Sequence, residues 1–225
     1  MKLVSIVLPT YNGSRWLKQS IESILNQSYR NFELIIVNDC STDNTKDIVQ
    51  FYENIDSRIH LINNNVNKKL PASLNIGFSV AKGDYFTWTS DDNWFEKEAI
   101  EEMVNYLDIN QEKVMVVSNF TKISSDGTFS YSVVNPTPQN MIETNSVGAC
   151  FMYRASVAKE VGNYDVNKFL VEDYDYWLRI CLQGEIGHIN SFFYNYRLHD
   201  SSLTTKKARE VQLITAKEKS DILPL

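Results

Sequence analysis

Asp84-Tyr85-Phe86-Thr87-Trp88-Thr89-Ser90-Asp91-Asp92-Asn93 joins an apolar, aromatic run to two adjacent carboxylates. The run Asp84–Trp88 has the composition of a strand, and Ala99, Ile100, Met103, Val104 and Leu107 beyond it fall at helical spacing. Two carboxylates at the end of a buried strand are costly unless a cation meets them. Hard oxygen donors suit Mg²⁺ or Mn²⁺, and a divalent cation carrying a diphosphate would satisfy such a pair. A plainer reading also exists, because acidic residues favour helix N-termini.

Outward from this stretch, strands and helices alternate. Leu3–Leu8 reads as a strand stopped by Pro9, and Leu17, Ile21, Ile24 and Leu25 form one face of a helix. Glu33–Val37 is nearly all apolar, as expected for a strand covered on both faces. Ser41-Thr42-Asp43 offers a cap for a helix carrying Ile48, Val49 and Tyr52. Ile59–Ile62 is a third strand, and a helix with Pro71 in its first turn runs through Leu74, Phe78 and Ala81 to Gly83. The pattern predicts an α/β fold with a mostly parallel central sheet. In such sheets ligands bind beyond the carboxyl ends of the strands, where Thr10-Tyr11-Asn12, Asn38-Asp39 and Asp91-Asp92 all fall.

The second half is less regular. Val114–Val117 and Ala149–Tyr153 read as strands, Asp126-Gly127 as a hairpin turn, and Pro136 and Pro138 as a loop. Tyr176, Trp177, Ile180 and Cys181 make a helical face ending at Gly184, and a polar, helix-prone tail follows from Thr204 to Lys219. The 225 residues, 43% hydrophobic and 22% charged, can bury a core and suit a globular protein. A net charge of −6 argues against nucleic acid as a partner. Three scattered cysteines, Cys40, Cys150 and Cys181, read as reduced thiols. The short apolar segment Leu3–Leu8 is no signal peptide, and no run is long enough to span a membrane. A cytoplasmic protein is expected, with room for peripheral association at the inner face of the membrane. No Gly-x-Gly-x-x-Gly fingerprint follows the first strand and no Gly-x-x-x-x-Gly-Lys loop occurs, which excludes the common dinucleotide and P-loop cradles.

Ser5–Asn12, Val37–Asp43, Ala72–Gly77, Ser90-Asp91-Asp92, Glu172–Leu178 and Tyr196–His199 occur in the order seen in one enzyme family. From Leu3 to Ser202 the chain resembles a family 2 glycosyltransferase of the GT-A fold. The resemblance implies a single domain over residues 1–203, with a nucleotide-sugar-binding half at 1–118 and an acceptor-binding half at 119–203. The latter would hold a smaller antiparallel region, and residues 204–225 would form a helical tail. It further implies an inverting transferase that moves a sugar from a UDP- or dTDP-sugar to a hydroxyl of a glycan, lipid-linked or protein acceptor, in cell-surface polysaccharide synthesis. Thr10, Tyr11 and Asn12 would line the nucleotide pocket, and Asp39 would accept a hydrogen bond from the base imide. Asp91 would meet the ribose or metal region, Asp92 would hold Mn²⁺ or Mg²⁺, His199 would help hold that metal or the leaving diphosphate, and Asp173 would be the general base. The family core is followed by little further chain, and the resemblance leads one to expect a longer C-terminal region for membrane or partner docking.

Two departures stand out. Thr89 occupies a position where many members have a further Asp, and Lys68-Lys69 a place where Gly often follows the first Lys. Plainer roles compete throughout. Asp39 and Asp43 suit a turn and a cap, Glu172 and Asp173 suit a helix start, and Asp175 is a rival to Asp173. Tyr11 alone would be a packing aromatic. His60 and His188 read as structural, His199 and Arg197 as a surface cluster, and Trp88, Trp94 and Trp177 as core, with Trp94 also placed to edge the donor sugar. A sugar-nucleotide nucleotidyltransferase fits less well, since Tyr11-Asn12-Gly13-Ser14-Arg15 is poor in Gly and basic residues. A non-catalytic GT-A module is the third possibility, against which Asp39, Asp91, Asp92 and Asp173 speak.

Overall fold

Every residue of β1 (Val4–Thr10) and of β2 (Phe32–Asn38) is buried, so both strands lie inside a sheet covered on two faces. β1 pairs in parallel with β2 on one side and β4 (Tyr85–Trp88) on the other, while β3 (Ile59–Asn63) joins β2 in parallel. The connecting helices are α1 (Leu17–Leu25), α2 (Thr45–Ile55) and α3 (Lys69–Val80). The computed structural model describes residues 1–135, 145, 147–207, 210 and 214. Pro136 and Pro138 lie outside these residues, as does most of the expected helical tail. Of that tail, α7 covers Leu203–Lys206.

After β4 come β5 (Trp94–Phe95), α4 (Ala99–Ile109) and the long β6 (Lys113–Ile123). β7 (Phe129–Val133) returns antiparallel to β6 through the hairpin expected at Asp126-Gly127, where Gly127 has φ 90°. Then follow β8 (Phe151–Arg154), α5 (Ala155–Val161), a 3-10 turn at Val166–Lys168, α6 (Glu172–Cys181) and β9 (Glu185–Arg197). The sheet order is β3-β2-β1-β4-β8-β6-β9-β5, with β7 on β6. The antiparallel part is thus a continuation of the same sheet: β8 pairs antiparallel with β4 and with β6, and β9 runs parallel to β6.

Alternate residues of β1 feed two cores. Val4, Ile6 and Leu8 pack with α1, α2 and α4 on one face, whereas Val7 packs with Leu74 of α3 and Trp177 of α6 on the other. Pro9 does not stop β1, contrary to expectation, but pairs in register with Val37. The Val7 carbonyl accepts from Thr89 N at 3.0 Å on the β4 side, and Pro9, two residues on, faces that side beyond the end of β4. Its missing N–H therefore breaks no ladder bond. The 13-residue β9 has no counterpart in the sequence reading, because its burial is irregular rather than alternating.

Candidate active site

The register of the central strands decides what meets at their carboxyl ends. Thr10 lies beside Asn38, and Asp39 N donates to the Thr10 carbonyl at 2.8 Å. The Thr10 hydroxyl donates to Asp91 Oδ2 at 2.5 Å, which ties the end of β1 to the loop after β4. Beyond Thr10 the chain turns through Asn12, whose φ of 55° is left-handed and whose Oδ1 accepts from Thr42 N at 2.8 Å. Asp43 fastens the turn from below: its carboxylate accepts from Thr45 N and Ser14 N, and these bonds hold its pKa below the ordinary value despite partial burial. Tyr11, half exposed, is left as an open aromatic surface at this edge.

Gly13 sits where nothing larger fits. A Cβ there would run into the Asp91 carboxylate and come within 2.6 Å of Thr10 Oγ1. Its N–H donates to Thr45 Oγ1 at 3.0 Å, so the start of α1 is pinned against α2.

Asp39 is buried and anchors a loop. Its Oδ1 accepts from Asn64 Nδ2 and Lys68 N, and its Oδ2 from Lys69 N, each at 2.8 Å. A carboxylate offers about four acceptor directions, so a further donor can still be taken. Lys69 has φ 69°, the backbone that favours glycine, at the position where the resemblance leads one to expect Gly. The loop-anchoring role of Asp39 was not anticipated from the sequence, because its partners lie 25 to 30 residues away.

The acidic pair divides its work. Burial, then the charge of Asp92, push the Asp91 carboxyl up to about 7, with the Thr10 hydroxyl acting in the opposite direction. Asp92 Oδ2 lies 2.8 Å from His199 Nε2, while Asp92 Oδ1 is buried with no hydrogen-bond partner. His199 Nδ1 is 2.6 Å from Ser201 Oγ, and its ring packs on Trp16 with centroids 4.4 Å apart. Thr89, where the family often has Asp, is buried against Tyr194 with their hydroxyls 2.7 Å apart, an environment for a hydroxyl rather than a charge.

Arg197 corrects the surface-cluster expectation: it is 3% exposed. Its guanidinium lies 5.2 Å from the Trp16 ring centre and 4.9 Å from that of Trp94. It donates to the Asp92 carbonyl (3.1 Å), the Ser125 carbonyl (3.0 Å) and Gln19 Oε1 (2.6 Å), and its own N–H donates to Asn93 Oδ1. Three separate segments are thereby held around the Asp92 backbone. No local sequence signal marks this role, since Gln19 and Arg197 are 178 residues apart.

Asp173 lies in the first turn of α6, and burial raises its pKa. The residue at the cap is Val171, without a side-chain cap, so neither Glu172 nor Asp173 is the N-cap. Asp175 is committed elsewhere: it pairs with Arg179 at 2.8 Å, and Arg179 also donates to the carbonyls of Val161 and Asn163. Glu172 is buried, accepts from Leu170 N at 2.6 Å, and is pushed up to about 7 by burial and then by the charge of Asp173. The structure brings Thr10, Asp91, Asp92 and His199 into one connected group. Asp173 shares no hydrogen bond with that group among the described residues.

The donor set can accommodate a divalent cation. One carboxylate with an orphaned buried oxygen stands beside one imidazole whose other nitrogen is oriented by a hydroxyl. Among the described residues no cluster of three ligating side chains forms, so diphosphate oxygens and water would supply the other positions. His188, by contrast, contacts Asn119 Oδ1 at 2.9 Å and its pKa is lowered by burial.

Known proteins resemble this chain over most of its length. The model described as Glycosyl transferase family 2 matches residues 5–162. EpsE of Bacillus subtilis, which carries a glycosyltransferase name, is 35% identical over 191 residues, covering 82% of this chain and 69% of its own. TuaG of the same organism, named for teichuronic acid biosynthesis, is 26% identical over 211 residues, covering 91% and 82%. Staphylococcus aureus TarS 1–349, solved with UDP-GlcNAc, superposes with a TM-score of 0.78 at 20% identity, over 97% of this chain and 66% of that one. The mannosyltransferase PcManGT of Pyrobaculum calidifontis, solved with GDP-Man and Mn²⁺, gives 0.76 at 15% identity, over 99% and 65%. These two likenesses show the shared fold.

Proposed function

The chain belongs to glycosyl transferase family 2 and has the GT-A fold, and on that premise we propose that it is an inverting transferase using a UDP- or dTDP-sugar. The observation carrying this reading is the orphaned, buried Asp92 Oδ1 beside His199 at the carboxyl edge of the sheet. Asp92 and His199 hold the Mn²⁺ or Mg²⁺ of the bound donor. When present, that cation offsets the negative charge that grows on the departing diphosphate.

The remaining roles belong to this chain's own groups. Asp39 accepts from the imide N–H of uracil or thymine with its remaining lone pair. Thr10 and Tyr11 line the base pocket with Tyr11 packed on the ring, Asn12 completes the nucleotide pocket, and Asp91 meets the ribose or metal region. Asp173 takes the proton of the acceptor hydroxyl as its oxygen bonds to the anomeric carbon and the bond from that carbon to the diphosphate breaks. A positioned base of this kind contributes ~10²–10⁴-fold. The acceptor is a hydroxyl of a glycan, lipid-linked or protein molecule; the teichuronic acid name of TuaG favours cell-surface polysaccharide. Among the described residues no helix is long and apolar enough to cross a membrane.

Calorimetric titration of UDP, dTDP and GDP, with Mn²⁺ and again with EDTA, tests the reading. UDP or dTDP should bind only with Mn²⁺, and Asp92→Asn should lose that metal-dependent binding. Asp173→Asn should keep the affinity within about twofold and lose at least ~10²-fold in turnover. No binding to the folded protein would leave the non-catalytic module as the better account, and full turnover by Asp173→Asn would remove that residue from the chemistry.

A further inference from the structure

Trp88 is the last residue of β4, three positions before Asp91 and four before Asp92. Its indole N–H donates to the Tyr164 hydroxyl at 3.1 Å. The Tyr164 ring stacks on Tyr176, with centroids 3.9 Å apart and planes 11° from parallel. Tyr176 is three residues after Asp173 on α6, and residues at that spacing share a helix face. Tyr164 thus touches both the strand that delivers the acidic pair and the helix that delivers the general base. It is 3% exposed, and its hydroxyl also lies 3.4 Å from that of Tyr153.

The Tyr164 backbone is held from a third side. Asn75 Nδ2 donates to the Tyr164 carbonyl at 2.8 Å, and Tyr164 N donates to Asn75 Oδ1 at 2.9 Å. A side-chain amide here imitates a strand partner across 89 residues. Asn75 is itself fixed, because α3 packs so closely on β1 that a Cβ at Gly77 would come within 2.5 Å of Val7 Cγ1. The motif Leu74-Asn75-Ile76-Gly77 has no part in the roles assigned above, yet its Asn and Gly both serve this junction.

Resting on the transferase reading, we propose that Tyr164, clamped by Asn75, is a positioning residue that sets the spacing between the leaving-group carboxylates after β4 and the general base on α6. The two groups act on opposite sides of one sugar, so their separation must be held while donor and acceptor exchange. Binding of the nucleotide and cation uses the ends of β1, β2 and β4 together with His199 after β9, and no residue of α6. Proton removal by Asp173 requires that α6 be held in register with that edge, and a displacement of about 1 Å can cost ~10²-fold in rate.

The test separates nucleotide binding from turnover in Asn75→Leu and in the milder Tyr164→Phe, which keeps the ring stack and loses the bond to Trp88. UDP affinity with Mn²⁺ should stay within about twofold of wild type in both. Release of UDP from the bound nucleotide sugar should fall ~10²-fold in Asn75→Leu and ~10-fold in Tyr164→Phe. Hydrogen exchange on the same proteins should quicken across residues 163–178 in Asn75→Leu and stay unchanged across 4–10, and it decides the matter if wild-type release is too slow to follow. Wild-type turnover in both variants, a parallel loss of UDP affinity, or unaltered exchange at 163–178 would overturn the positioning role. Wild-type protein that binds no nucleotide would instead defeat the transferase reading, and this inference with it.

Discussion

Glu172 shows how a single buried carboxyl makes stability depend on pH. Burial and the neighbouring charge of Asp173 push it up to about 7, against 4.5 ordinarily. The folded protein therefore holds this proton more tightly than the unfolded chain. The resulting stabilisation is complete below about 4.5 and is lost as pH rises through about 7. Glu172→Gln keeps an acceptor for Leu170 N and removes the charge. It should raise Tm relative to wild type at pH 8, by up to about 3 kcal/mol of stability, and leave it nearly unchanged at pH 4. Thermal melts of both proteins across this range check the sign; an equal gain at both pH values would show that charge is not the cause.

Two elements carry consequences that no single residue conveys. The turn from β1 into α1 passes so close to Asp91 that Gly13→Ala forces either the turn or the carboxylate to move. Overpacking of this kind costs ~1–3 kcal/mol. On the proposed reading the displaced groups line the nucleotide edge, so UDP affinity should fall ~10-fold, as read by calorimetry. The loop after β4 depends on Arg197, which serves the Asp92 carbonyl, Ser125 and Gln19 at once between two indoles. Arg197→Lys retains the charge but lacks the planar fork that reaches all three acceptors. It should cost about 2–4 kcal/mol in denaturant titration and also weaken the Mn²⁺ dependence of UDP binding. A purely thermal effect, with metal dependence intact, would reduce Arg197 to a packing role.

At the scale of the molecule, one sheet unites the two halves, and its opposite end shows what holds them together away from the site. Arg154, on β8, donates to the carbonyls of Lys113, Leu107 and Asn110 and to the Tyr85 hydroxyl. These bonds join β4, α4, β6 and β8 where the second half enters the sheet. Arg154→Met should lower stability by about 2–4 kcal/mol while leaving UDP affinity within about twofold. Set beside Arg197→Lys, this contrast separates the integrity of the sheet from the integrity of its ligand edge. Equal losses of affinity in the two variants would mean that the edge merely reports global stability.

Legibility followed the range of the interactions. The alternation of apolar strands and amphipathic helices from Leu3 to Leu107 is local, and with the polar strand ends it placed Thr10, Asp39, Asp91 and Asp92 on one edge. Parallel strands with short connections leave those ends little choice. His199 and Asp173 were legible only through the resemblance, since nothing near them in the chain points to a site. Asp39 as a loop anchor, Arg197 as a buried clamp, Pro9 within a strand and the Asn75–Tyr164 junction were not legible at all. Each depends on partners brought together by the folded chain, from the parallel end of β4 beside Pro9 to contacts spanning 89 residues at Asn75 and 178 at Arg197. The sequence by itself determined the parallel α/β half and its acidic edge, because periodicity and strand burial are written in neighbouring residues. Only the tertiary structure decided how β8, β6 and β9 continue that sheet and which side chains brace the edge, because hydrogen bonds between distant segments exist only once those segments are packed.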